Sequence, residues 1–440
     1  MGNICCDRSS IRSDVCFMKG DIRTHSASFS IFLYSSNNIS NGRRIQEEEE
    51  IQQYEKIKPY TRKWEKSVMD TIDQLDLVVM KKSKFGKKTN QKPCQVKHSV
   101  PAVVFSNGGY TGNVYHEFND GILPLFITSQ HLNKQVVFVA LEYHEWWITK
   151  YSDILSQLSD YPVINFSGDN RTHCFPEAIV GLQIHDELAV DRLQGKNTTI
   201  RDFRRLLDRA YWPRIKGLQE EEAQLKLQLK PDSGELKNLS SLPPWLSSMK
   251  EEEEEEEKEE MKKPKLVIIS RNGSRSIINE GAMVELAEDI GFQVEVLRPN
   301  PRTELAKIYR ALNSSDMMVG VHGAAMTHFL FMKPGSVFIQ VIPLGTDWAA
   351  ETYYGDPSVK LGLKYMPYKI LPRESSLYGN YNNDDPVLND PESVNAKGWE
   401  YTKKIYLDGQ NVELNLRRFR KRLVRAYDYI SQRKLQQSSY

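Results

Sequence analysis

No run of about 18 apolar residues occurs in this 440-residue chain, so no membrane span is expected from the sequence. A secretory leader is not visible either, because Met1-Gly2-Asn3-Ile4-Cys5-Cys6 passes directly into charge. Gly2, Cys5 and Cys6 offer sites for acyl chains, yet Cys6 stands where N-myristoylation calls for Ser or Thr. Charge of one sign is not in excess: 59 Lys+Arg face 58 Asp+Glu, which gives no global case for nucleic acid as a partner. Cysteine is scarce. The five, Cys5, Cys6, Cys16, Cys94 and Cys174, lack zinc-ligand spacing and could form two disulfides with one left over. Cys94 with Cys174 is the favoured pair, because both flank the first group of strands.

Seven Asn-x-Ser/Thr sequons are present. Asn38, Asn165, Asn170, Asn197, Asn238 and Asn313 are candidate glycosylation sites, whereas Asn272 falls inside a candidate binding site. Together they lean towards the secretory pathway.

Length allows two or three domains, at roughly 150 residues each. Acidic stretches divide the chain. Glu47-Glu48-Glu49-Glu50 ends a polar arm over residues 1–93, and Glu251–Glu257 lies in a polar segment, 217–263, expected to be a disordered linker. Between them, residues 94–216 alternate strands (at Val100–Phe105, Val136–Ala140 and Val163–Phe166) with helical patterns. The alternation restarts over 264–405, with strands expected at 266–269, 293–297, 317–321 and 337–342 and helices between them, Ala324 to Met332 included. An amphipathic helix closes the chain over 406–440. Short apolar strands alternating with helices imply an α/β fold with two Rossmann-like domains, each with a parallel sheet, facing one another across a cleft. Ligands of such sheets bind beyond the carboxyl ends of the strands, here just after Phe105, Ile269, Val321 and Ile342.

Each of these four points carries a cluster. At Val319–Met326, a β-branched strand turns through His322-Gly323-Ala324 into a helix, a geometry whose free N–H groups and dipole suit a diphosphate. After the strand at 266–269 come Arg271 and Arg275, beside Gly273, a pair suited to phosphate or carboxylate. After Ile342 comes a segment with Trp348, able to stack on a base, and Glu351, able to accept from ribose hydroxyls. The fourth follows Phe105: a glycine-rich loop, then His116, Glu117 and Asp120 at spacings that share a helix face. An imidazole beside carboxylates can remove a proton from an acceptor hydroxyl. The spacing alone leaves open which of the three is the base; Asp120 held by His116 is favoured, with Glu117 in reserve. His-Glu-x-x-Asp also approaches a zinc-protease motif, but Asp120 replaces the second His and no third ligand is evident.

Several segments, taken in order, resemble one family: Asp14–Arg23, Gly108–Asn113 continuing through Asp120–Phe126, His173–Pro176, Ile269–Arg271, Val321–His328 and Trp348–Gly355. The chain resembles plant members of glycosyltransferase family 61, in the branch of xylan arabinosyl- and xylosyltransferases. The resemblance implies a GT-B-like fold, a UDP-sugar donor, inversion at the anomeric carbon, and a cell-wall xylan or related glycan as acceptor. It implies that Arg271, Arg275, His322 and Gly323 hold the nucleotide diphosphate, that Glu351 faces the ribose, and that His116 and Asp120 line the acceptor side. Members of the family are type II Golgi membrane proteins; this sequence departs from them in showing no anchor. An N-glycan xylosyltransferase and a non-catalytic glycan- or nucleotide-binding protein are the alternatives.

Inverting transfer is a single displacement, so the protein must stabilise charge growing on the departing diphosphate. No Asp-x-Asp occurs to hold a divalent ion. The expectation is that no metal is required, and that Arg271, Arg275 and the His322–Ala324 turn supply fixed positive potential instead.

Overall fold

The computed structural model describes residues 3–35, 51–81, 93–194, 197–229, 263–300 and 302–438. The acidic runs at 47–50 and 251–257, and the sequons at Asn38 and Asn238, lie outside them. The chain divides into two compact units, Met1–Ala210 and Tyr211–Tyr440. Among the described residues no helix is long and apolar enough to cross a membrane.

The first unit is built on a ten-stranded sheet. Its strands are β1 (Cys5–Asp7), β2 (Val15–His25), β3 (Ser30–Ser35), β4 (Ile51–Ile57), β5 (Leu75–Lys81), β6 (Val96–Lys97), β7 (Ala102–Ser106), β8 (Val137–Leu141), β9 (Ile164–Asn165) and β10 (His173–Val180). The main order is β4-β5-β3-β2-β10-β7-β8-β9. The expectation of a purely parallel sheet is corrected here. The β10-β7-β8-β9 half is parallel, but β2 runs antiparallel to both β10 and β3, and β4 antiparallel to β5. Residues 1–93, expected to be a polar arm, supply five of these strands. Their alternation explains the difference: Val15, Cys16, Met18 and Ile22 are buried while Phe17, Lys19 and Gly20 between them face solvent. A half-buried strand averages to a polar composition, whereas β7 and β8 are buried at every position and read as apolar runs.

In the second unit β11 (Lys265–Ile269), β12 (Gln293–Leu297), β13 (Met317–Val321), β14 (Val337–Ile342) and β15 (Lys364–Lys369) form an all-parallel sheet in the order β12-β11-β13-β14-β15. This is a doubly wound order whose direction of winding reverses between β11 and β13, and such a switch point is where open α/β sheets bind ligands. The terminal helix, Leu416–Ser438, packs on this unit's own core through Phe419, Leu423, Ala426 and Ile430.

Two further expectations change. The helix beginning at Ile200 runs to Leu229, across the unit boundary and into the expected linker. Within the second unit, Arg310 donates to Glu222 at 2.6 and 2.8 Å and Arg214 to Glu304 at 2.6 Å, which ties this polar stretch down. The segment after Gly323 is a 3-10 helix, Ala324–Phe331, with Met326 to Phe331 buried. Its tighter turn is weaker in hydrogen-bond alignment than the α-helix expected there.

Candidate functional site

In the second unit, β11 and β13 end side by side and each releases a cluster. After β11 the chain makes a tight loop rather than a helical turn. Gly273 has φ +90°, and Arg275 holds the left-handed conformation at φ +59°, its N–H donating to the Gln410 carbonyl at 2.6 Å. A non-glycine residue in that region is uncommon and is held there by its surroundings. The result brings the two guanidinium groups together at the end of β13. A Cβ on Gly323, whose φ is +147°, would stand 2.3 Å from Arg271 Nη1 and 3.3 Å from Arg275 Nη1. Glycine is therefore required for space as well as for conformation.

Neither arginine has a carboxylate within ion-pair distance among the described residues. Arg271 Nε donates only to the Ser274 carbonyl, at 3.3 Å, and Arg275 Nε is buried with no partner. Burial lowers the pKa of both, and the charge of Arg271 helps bring Arg275 down to about 10. Two partly buried cations side by side, with no carboxylate at ion-pair distance among the described residues, suit an oxyanion.

His322 closes the other side. It is buried, with Tyr354 edge-on 5.4 Å away. Burial, then Arg275 and Arg271, lower its pKa to about 3, so it is a neutral imidazole. Its Nδ1 meets Gln340 Nε2 at 3.0 Å, and Gln340 Oε1 accepts from the Tyr365 hydroxyl at 2.8 Å. The structure thus groups Arg271, Arg275, His322 and Gly323, with Ala324 opening the 3-10 helix behind them. Trp348 lies on the short helix Asp347–Ala350 after β14, about half exposed and edge-on to Tyr353 at 5.7 Å. Glu351, also exposed, begins the π-helical turn that carries Tyr354, and its charge acts on Tyr365.

In the first unit the glycine-rich loop follows β7, and Asn113 caps the next helix by accepting from Tyr115 N–H at 3.0 Å. After His116 the helix widens into a π-turn, Glu117–Ile122. The wider turn separates two residues expected on one face. Glu117 is turned to Lys150 (2.9 Å), the Tyr151 hydroxyl and the Gly112 N–H (3.2 Å). His116 and Asp120 stay together, Nδ1 to Oδ2 at 2.7 Å.

Asp120 is almost fully buried. Its Oδ2 also accepts from Arg62 Nε at 2.8 Å, and its Oδ1 from Asn119 Nδ2 at 2.8 Å. Burial works against the charge on Arg62, but Asp120 and Glu65 more than offset it and raise its pKa. His116 is partly exposed and stacks on Tyr110 at 4.2 Å. Tyr60 fills the space beside Gly109, where a Cβ would lie 2.6 Å from its ring.

Sequence reasoning missed Tyr60 and Arg62 because they lie in the segment taken for an arm. The basic-aromatic string Lys58-Pro59-Tyr60-Thr61-Arg62-Lys63-Trp64 was the available signal. In the second unit it missed Tyr354, Tyr365 and Gln340, the last being the one polar residue in the otherwise apolar strand β14.

Two disulfides are present, Cys94–Cys174 and Cys6–Cys16, with Cys5 a free, exposed thiol. Of the described sequons, Asn170, Asn197 and Asn272 are exposed. Asn165 Oδ1 accepts from the Gly168 N–H at 2.8 Å, and Asn313 is half-buried near the end of the helix Leu305–Ser314.

Comparison with known proteins gives this geometry a context. The family model for Glycosyltransferase 61 matches residues 115–339, a span that includes His116, Asp120, both arginines and His322. The chain is 58% identical over 427 residues to the xylan glycosyltransferase MUCI21 of Arabidopsis thaliana, covering 97% of this chain and 79% of that protein. It is 34% identical over 428 residues to the alpha-1,3-arabinosyltransferase XAT3 of Oryza sativa subsp. japonica (97% of this chain, 65% of the relative). It is also 34% identical over 430 residues to the beta-1,2-xylosyltransferase XYXT1 of the same plant (96% and 83%). The chain belongs to glycosyltransferase family 61.

Proposed function

We propose that this protein is an inverting pentosyltransferase of GT-B-like fold that moves xylose or arabinofuranose from a UDP-sugar to xylan or a related glycan. The observation that carries the reading is the convergence of Arg271 and Arg275, without a carboxylate partner among the described residues, on Gly323 at the β11/β13 switch point. That arrangement suits a nucleotide diphosphate. The names of the relatives, a xylan glycosyltransferase, an arabinosyltransferase and a xylosyltransferase, point to a pentose and to xylan.

Each group has a role in this reading. The two guanidinium groups and the His322 imidazole bind the diphosphate, and their positive potential stabilises the charge that grows as the bond to the sugar breaks. One such preorganised contact contributes about 3–4 kcal/mol. Because the arginines provide this potential themselves, no divalent ion is invoked. Trp348 and Glu351 serve the base and ribose.

On the acceptor side we assign the base to His116, in place of the Asp120 favoured from the sequence. Its Nδ1 is engaged by the buried Asp120, which leaves Nε2 to take the hydroxyl proton, and the adjacent carboxylate stabilises the resulting imidazolium. Asp120, enclosed by Arg62 and Asn119, orients and does not itself receive the proton. Glu117, held by Lys150 and Tyr151, shapes the loop. The two disulfides suit an oxidising compartment, consistent with work in the Golgi lumen.

UDP-release measurements on the purified protein with UDP-xylose and UDP-arabinofuranose, each with xylan oligosaccharides, test the reading. Turnover with one donor, abolished in Arg271→Met/Arg275→Met, is the expected result. UDP binding without turnover on any donor would indicate a binding protein, and activity lost in EDTA and restored by Mn²⁺ would overturn the metal-free reading.

A further inference from the structure

β14 is buried at all six positions, Val337 to Ile342, and its only polar side chain is Gln340, with no exposure to solvent. A primary amide in such a place is costly unless both ends are hydrogen-bonded. Register shows how they are. Gln340 lies opposite Gly320 on β13 and opposite Pro367 on β15. Two positions beyond Gly320 is His322, and two before Pro367 is Tyr365, so all three side chains project from one face of the sheet. They form a line: the Tyr365 hydroxyl to Gln340 Oε1 at 2.8 Å, then Gln340 Nε2 to His322 Nδ1 at 3.0 Å.

We propose that Gln340 and Tyr365 are positioning residues that hold His322 as the Nε2–H tautomer, so that the departing diphosphate always meets a hydrogen-bond donor. The inference rests on the reading of the second unit as the nucleotide-sugar site. A carbonyl oxygen only accepts and an amide nitrogen only donates. Tyr365 is a protonated phenol, because burial, then the charges of Glu351, Asp347 and Asp356, raise its pKa. Its O–H donates to Oε1 at 2.8 Å, and the amide nitrogen is turned towards the imidazole at 3.0 Å. Nδ1 must then present a lone pair, and the one proton of the neutral ring sits on Nε2. The reverse arrangement, with the amide turned over, would place the proton on Nδ1 and offer the ligand an acceptor. An acceptor facing phosphate oxygens would be repelled. Neither Gln340 nor Tyr365 needs to touch the donor; they decide what His322 shows it.

The test is ¹⁵N NMR of the full-length protein labelled at histidine, with His322 assigned by the resonances that vanish in His322→Gln. In the wild type without ligand, His322 should give a protonated Nε2 and an unprotonated Nδ1. Gln340→Met, which keeps the volume and removes the amide, should give exchange between both tautomers. Its kcat should fall about tenfold, the loss of one hydrogen bond, with KM for the acceptor unchanged. Tyr365→Phe should move the spectrum the same way to a smaller extent.

A protonated Nδ1 in the wild type, or an unchanged His322 signature in folded Gln340→Met, overturns the proposal. Should Gln340→Met fail to fold, the wild-type spectrum alone still decides the tautomer. Adding UDP to the wild type separates this inference from the reading beneath it. A shift of the Nε2–H resonance supports both, whereas a fixed Nε2–H tautomer that ignores UDP refutes the nucleotide site and the proposed purpose of the device.

Discussion

Arg62 donates through Nε to Oδ2 of Asp120 at 2.8 Å, the same oxygen that accepts from His116 at 2.7 Å, and both partners of this ion pair are nearly inaccessible to water. Fifty-eight residues separate them in sequence, and the pair joins a segment outside the regular elements to the π-turn that carries the acceptor-side chemistry. A buried pair adds little net stability over apolar groups of the same shape, but removing one partner leaves the other charge uncompensated. Arg62→Leu should therefore cost about 3–5 kcal/mol in chemical denaturation, and Arg62→Leu/Asp120→Leu should recover part of it. A loss under 1 kcal/mol in the single variant would show that water reaches Asp120.

The same geometry separates base from orienter. His116→Ala should lower kcat by about 10²–10⁴ with the melting temperature nearly unchanged, because the ring is partly exposed and its Nε2 is the proton acceptor in this reading. Asp120→Asn should retain more activity than His116→Ala. If the order is reversed in UDP-release assays, Asp120 is the base.

Gly323 tests the diphosphate site without removing a charge. A methyl group there would meet Arg271 Nη1 at 2.3 Å on backbone of φ +147°, so Gly323→Ala must displace the guanidinium from its place beside Arg275. Calorimetric affinity for UDP should weaken at least about tenfold, equivalent to about 1.4 kcal/mol. Gly273→Ala is the control. It shares a positive φ but meets nothing within 4 Å, so it should cost some stability and little affinity.

Much of the second unit was legible in the sequence because its central strands β11, β13 and β14 are buried almost throughout, and a continuous apolar run between glycine-rich turns has few other interpretations. The strands 293–297, 317–321 and 337–342 lie where the apolar runs place them. Their ends also led to Arg271, Arg275 and His322. The N-terminal strands were not legible for the converse reason: half-buried alternation in β2 and β3 is diluted by lysine, arginine and serine, and the acidic run at 47–50 made the neighbourhood look unstructured. Arg62 was hidden with them. Glu117 was misplaced because a spacing of three implies proximity in an α-helix, while the π-turn adds almost a residue to each turn. The relay through Gln340 left one clear mark, a polar residue amid five apolar ones, whose meaning depends on strand order that the sequence does not state.

His322 also makes a claim on stability against pH. In the folded protein burial, then Arg275 and Arg271, keep its pKa at about 3, while in the unfolded chain it titrates near its ordinary value of about 6.5. Between these values the unfolded chain binds a proton that the native state does not, so unfolding becomes easier as pH falls. The stability is complete above about pH 6.5 and declines towards pH 3, with a loss of about 2 kcal/mol from this residue by pH 5. His98 and His185 are also shifted down by burial and act in the same direction, but they are common to wild type and variant. The difference in unfolding free energy between pH 7 and pH 5 should therefore be smaller by about 2 kcal/mol in His322→Gln than in the wild type, read from urea titrations. Equal pH dependence in the two proteins would mean that the imidazole picks up its proton in the folded state, which the two neighbouring guanidinium groups should forbid.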